Sequence, residues 1–198
     1  IGSDGWLRTG DDGQVDARRN LVFHGAPADR LVLADGRTVD AALVEAVVEG
    51  ALPIVSRALV VGAGRPNLGV LLALRLADGG VETEPERAAL AADVITVGNT
   101  IGSTAKTLEE VMSDSFYVSH IMKQLGVAND ALVAAGMPTI AHYQILLQPI
   151  GVAHGHLGPP QRVRRFIIDR TFGYQIDVLF QSPALVMGSA AEAAAAAS

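Results

Sequence analysis

The sequence predicts an α+β fold: a small three-stranded sheet with flanking helices, entered through a β-hairpin. Three observations predict it. Residues 30–76 read β-α-β-β, the apolar spacing changing from strand-like to helical and back. A helical block from Glu86 to Gly136 separates that unit from a further strand at 142–148. The pattern then ends on an amphipathic helix over 162–180.

In chain order, residues 6–24 alternate short apolar runs with turn residues, giving two or three short strands and a tight turn near Asp16–Asn20. "GAPAD" (25–29) punctuates the chain and marks a boundary or hinge. "RLVLADGRT" is a strand followed by a turn at Asp35–Gly36. Thr38 is the expected N-cap of a helix through Glu49, with Leu43, Val44, Val47 and Val48 on its buried face and Gly50 ending it. "SRALVVGAG" and "NLGVLLALRL" are strands joined by a turn at 62–67, with Leu68, Val70, Leu72 and Leu74 on one face. The helical block is expected to break at 98–104, with Val111, Phe116, Ile121 and Leu125 on one stripe. The tail "GSAAEAAAAAS" lacks large apolar groups and is expected to be disordered or a frayed alanine helix.

Composition narrows the function classes. The 198 residues are 49% hydrophobic and 18% charged, which suits a globular protein, and the net charge is −6. That balance argues against a nucleic-acid partner, which takes a broad basic surface. The absence of cysteine excludes disulfides and thiolate metal sites. The apolar run Leu68–Leu74 is too short to span a bilayer. "HGH" (154–156) lacks a third ligand at metal spacing, so no metal site is expected. The start "IGSDGWLRTG" carries no leader pattern and reads as mid-domain, so the chain is expected to be part of a longer one.

The basic run in "HLGPPQRVRR" (156–165) stands alone in this acidic sequence. Its plain reading is a solvated helix start, especially for Arg164 and Arg165.

A second reading comes from resemblance. "DGWLRTGDDG", with the unit after it, resembles the adenylate-forming superfamily of acyl-CoA synthetases, luciferases and peptide-synthetase adenylation domains. The "GW-x-x-TGD" pattern of that family is matched by Trp6, Thr9, Gly10 and Asp11. The order strand, hinge, "DG" turn, helix, "ALVVG" and "VLLAL" matches the family's small C-terminal domain. Residues 52–76 and 156–180 look more narrowly like bubblegum-type long-chain fatty-acid–CoA ligases, which share a helical block at about 86–141. The similarity runs from about residue 4 to about residue 180.

The resemblance implies an organisation: 1–27 as the last strands of a nucleotide-binding domain and hinge, 28–182 as a mobile C-terminal domain, 183–198 as a tail. It also implies a reaction. Fatty acid and ATP, with Mg²⁺, give acyl-AMP, which then gives acyl-CoA; most of the binding falls to a larger domain upstream. Asp11, with Thr9, would meet the ribose. Arg162 occupies the place of a lysine that meets the α-phosphate and acyl carboxylate. Ala28 and Asp29 stand at the hinge. The turn Asp35, Gly36 and Arg37 would line the path of CoA pantetheine. The expected location is the cytoplasm, with peripheral membrane contact through the last helix as an alternative.

Four positions depart from the family pattern: Ala26 for an arginine, Ala28 for a polar hinge residue, Arg37 for an acid and Arg162 for the lysine. Arginine keeps the charge but brings a planar fork in place of a compact ammonium. A degenerate homologue acting as a binding or regulatory module is therefore the competing reading.

Overall fold

The computed structural model describes residues 12–25, 29–77, 88–158 and 161–181. Strands β1 (Asp12–Val15) and β2 (Leu21–Gly25) pair antiparallel as the expected hairpin. Its turn is built by Asp16, whose carboxylate accepts from the Arg18 and Asn20 amides at 2.8 Å each.

Strands β3 (Arg30–Val32) and β4 (Thr38–Asp40) form a second hairpin around the Asp35–Gly36 turn. Here the expectation needs correction. Thr38 lies in β4, and the helix cap is Asp40, which accepts from the Ala42 and Leu43 amides at 3.1 and 3.3 Å. The returning strand is what buries Val39. Helix α1 (Ala41–Ala51) continues one residue past Gly50. Its buried face is Ala41, Val44, Glu45 and Val48, while Leu43 is half exposed. The stripe is thus turned toward a glutamate.

The main sheet has the order β5 (Val55–Val61), β6 (Leu68–Leu74), β7 (Ile140–Ile145), as three strands. β5 and β6 are antiparallel, and β6 and β7 parallel. Every residue of the central strand is buried, as a strand covered on both faces must be. Leu68, Val70, Leu72 and Leu74 share the predicted face and pack with Val44, Val48 and Leu125. Leu71 turns to the other face, against Ile168, Phe172 and Leu179.

The parallel pair needs a crossover, and the helical block supplies it. It contains α2 (Ala92–Ile101), α3 (Leu108–Ser113) and α4 (Ser115–Ala134). The break falls at 102–107 instead of 98–104. Left-handed Gly102 ends α2, Thr107 and Glu110 form a capping box for α3, and Asp114 caps α4. On the predicted stripe Val111, Ile121 and Leu125 are buried; Phe116 is exposed and Tyr117 takes its place in the core.

The last helix also begins later than expected. A short hairpin, β8 (Leu157–Gly158) with β9 (Arg162–Val163), precedes α5 (Arg165–Gln181). Of the apolar residues proposed for a membrane-facing side, Phe172 is buried against the sheet, Ile167 and Ile176 are partly covered, and Phe166 stays open. Among the described residues no helix is long and apolar enough to cross a membrane.

Candidate functional site

The outer edge of β5 organises the site. An edge strand presents unpaired backbone groups, which must find partners when covered. Here α1 and α5 supply them through charged side chains. Glu45 accepts from the Val60 amide at 2.8 Å, and Glu49 from the Ala58 amide at 3.0 Å. Arg165 donates through Nη1 to the Val60 carbonyl at 3.0 Å and meets Oε1 of Glu45 at 2.7 Å. Burial pushes the Glu45 carboxyl above its ordinary range, opposed by the adjacent guanidinium and the Val60 amide.

From this buried pair the charges extend outward. Asp29, one residue before β3, lies between two arginines. Its Oδ2 accepts from Arg162 through Nε at 3.2 Å and Nη2 at 2.9 Å. Its Oδ1 faces Arg165 Nε at 3.8 Å. Beside them Arg57 donates to the Gln161 side chain at 3.1 Å and lies 3.8 Å from Glu49. Gln161 holds a left-handed φ of +69°, a conformation uncommon for a residue with a side chain. Asp29, Glu45, Glu49, Arg57, Gln161 and Arg162 line a cleft of about 250 Å³.

Arg162 is therefore at a cleft mouth, with its side chain about 39% exposed. Arg165 overturns the solvated reading: it is a buried link between α5, α1 and β5. Arg164 is exposed as expected, and its guanidinium reaches the Gly155 carbonyl at 3.5 Å.

The turn Asp35, Gly36 and Arg37 lies elsewhere. Asp35 accepts from the Arg37 amide at 3.0 Å and from Arg37 Nε at 2.6 Å, and these bonds hold its carboxyl below the usual range. Gly36 has φ +84°, which the turn requires of it. Backbone bonds from Ala34 to Arg65 and from Gly64 to Val32 hook this hairpin onto the turn after β5. Gln161 instead contacts Arg57 near the start of β5. The cleft group runs along β5 from Arg57 to Val60, while the hairpin attaches just past the end of that strand. Thr9, Asp11 and Ala28 lie outside the described residues.

Glu45, Glu49, Arg57 and Gln161 were not singled out from the sequence. Glu45 had a signal, since it falls on the apolar stripe of α1 between Val44 and Val48, where a carboxylate needs a buried partner. Nothing local pointed to Arg165 as that partner, 120 positions on. Among the described residues no three His, Asp or Glu side chains gather to hold a metal ion. His156 and His142 are buried, with Nδ1 unpartnered in each.

A three-stranded mixed sheet, crossed by a helical block and edged by charged side chains, defines a small α+β domain. The AMP-binding enzyme C-terminal domain family matches residues 28–133, more than half of the chain, and the chain belongs to that family. Curated relatives that it matches include long-chain-fatty-acid–CoA ligases. It is 29% identical to ACSBG1 of Mus musculus over 91% of this chain and 25% of that protein. It is 27% identical to ACSBG2 of Rattus norvegicus over 92% of this chain and 27% of that protein. The chain thus spans about a quarter of the length of the relatives it matches.

Solved structures agree on the fold. The adenylation domain of a carboxylate reductase from Mycobacterium chelonae superposes with TM-score 0.60 at 17% identity, covering 92% of this chain and 24% of that one. The corresponding domain from Segniliparus rugosus, solved with AMP and a carboxylic acid, gives 0.60 at 15% identity, covering 91% of this chain and 24% of that one.

Proposed function

We propose that this chain is the C-terminal portion of an AMP-forming long-chain fatty-acid–CoA ligase. In this reading it is the mobile cap, comprising residues 28–182, that closes on a larger nucleotide-binding domain through a hinge at Ala28 and Asp29. It is inactive alone, because ATP, Mg²⁺, CoA and the acyl chain are held mainly by that larger domain. The carrying observation is the placement of Arg162, which the sequence resemblance sets at the family's lysine position, on a short hairpin at the mouth of a cleft.

Two half-reactions follow. In the first, the fatty carboxylate attacks the α-phosphorus of ATP and pyrophosphate leaves. Negative charge grows on the phosphoryl oxygens, and a fixed cation there lowers the barrier. Arg162 supplies that cation, and Asp11 with Thr9 holds the ribose. In the second, the thiol of CoA attacks the acyl-adenylate and AMP leaves. The turn at Asp35, Gly36 and Arg37 then lines the thiol's approach.

The competing reading, a degenerate regulatory module, is favoured by the occupation of Arg162 by Asp29 and by alanine at Ala28. ATP–pyrophosphate exchange with a long-chain fatty acid, measured on the complete polypeptide, separates them. Exchange that is lost in Arg162→Ala and raised in Arg162→Lys supports the ligase. ATP binding with no exchange in any of the three forms supports the regulatory module.

A further inference from the structure

We infer that Asp29 is a positioning residue for Arg162, the fixed partner that lets an arginine serve where related ligases use a lysine. The inference rests on the ligase reading above. An ammonium presents the same three donors however it spins about its stem, so placing its nitrogen is enough. A guanidinium is a flat fork, and both its location and its plane decide whether it meets a phosphoryl oxygen. Some group must set that plane.

Asp29 is built to do so. One of its oxygens takes both Nε and Nη2 of Arg162, which fixes the side edge of the fork and hence its plane. A second guanidinium lies on the other side of the carboxylate. Its second oxygen faces Arg165, whose side chain is only 9% exposed and is fixed by Glu45 and by the Val60 carbonyl. A chain of contacts therefore runs from the sheet edge through Arg165 and Asp29 to Arg162. Asp29 is itself largely covered, its side chain 18% exposed against 39% for Arg162. The inner end of the chain is anchored and its outer end faces the cleft.

The experiment compares Asp29→Asn, Arg162→Lys and the double variant in the complete polypeptide, each checked by melting temperature. Adenylation is read by ATP–pyrophosphate exchange. A positioning role predicts that Asp29→Asn lowers the kcat of exchange about tenfold to a hundredfold when residue 162 is arginine. Asp29→Glu recovers part of the loss. In the Arg162→Lys background the Asn substitution has little further effect, because an ammonium needs no plane.

Exchange in Asp29→Asn within twofold of the parent overturns the inference. So does an equal penalty in the arginine and lysine backgrounds. If Arg162→Ala retains exchange, or the parent has none, the ligase reading fails and this inference with it. If Arg162→Ala is inactive while Asp29→Asn is not, only this inference fails.

Discussion

Glu45 and Arg165 meet at 2.7 Å, and each also holds one backbone group of Val60. The pair thus closes the open edge of β5 while tying α1 to α5. Removing one partner leaves a buried charge without compensation, at a cost of about 3–5 kcal/mol. Glu45→Ala is expected to lose that much in urea unfolding, because a guanidinium cannot shed its proton. Arg165→Met is expected to lose less, since burial already favours the protonated carboxyl of Glu45. The double variant Glu45→Ala, Arg165→Met should lose less than the two single losses added together, because it leaves no unpaired charge, although both backbone groups of Val60 stay unsatisfied. Strict additivity of the two single losses would show that the pair is not coupled.

Asn129 makes a second such closure. Buried in α4, its amide donates to the Ile140 carbonyl at 2.9 Å, and its oxygen accepts from the Ile140 amide at 2.8 Å. One side chain thereby satisfies both backbone groups of the first residue of β7. Asn129→Leu keeps the branched shape, with bulkier methyl groups, but orphans a donor and an acceptor, each worth about 1–3 kcal/mol. Thermal unfolding should show a fall of several degrees at least. An unchanged midpoint would mean that Ile140 finds other partners.

These closures mark the limit of what the sequence disclosed. The main sheet was legible because β6 is a short, continuous apolar run and it is bounded by Gly and Pro turns. Short returns were not. β4, β8 and β9 are two or three residues long, below the length at which periodicity carries a signal. For that reason the sequence pattern predicts a cap at Thr38 and a helix start at Arg162, where the structure has strands. The site was half legible. The order of motifs drew attention to Arg162, Asp29 and the Asp35–Arg37 turn, but the groups tying Arg162 to the sheet are long-range ion pairs. Residues 29, 45 and 165 share no local pattern, and only folding brings them together.

Gly98 tests the crossover. Its lack of a side chain lets α2 lie directly on Tyr117, whose hydroxyl donates to the Val94 carbonyl at 2.7 Å. A Cβ at Gly98 would land on that hydroxyl and within 3.1–3.2 Å of the ring. Gly98→Ala is therefore expected to destabilise by about 1–3 kcal/mol, despite alanine's better helix propensity. Tyr117→Phe alone should cost about 1 kcal/mol through the lost hydrogen bond. Combined with Gly98→Ala, it should relieve part of the clash, so the double variant is more stable than the sum of the two losses. Purely additive losses in chemical unfolding would place the clash elsewhere.

Acid should loosen the α5 face first. His156 lies buried in the loop before β8, tilted on Phe172 with ring centroids 5.4 Å apart and stacked on His154 at 5.5 Å. Burial, then the neighbouring His154, holds its pKa below the ordinary 6.5. His142 meets Phe180 edge-on at 5.1 Å, and burial lowers its pKa likewise. The sign follows from linkage. When the folded state binds the proton more weakly than the unfolded chain, stability is complete above about pH 6.5 and falls as pH drops toward the folded pKa. Each histidine adds up to roughly one proton to that slope. Melting temperature followed from about pH 7.5 to about pH 5 should decline for the parent. It should decline less for the variant carrying His142→Gln and His156→Gln, which has no such proton to take up. Profiles of equal steepness would assign the acid sensitivity to other groups. His120, which burial and Lys123 also hold low, is the next to replace.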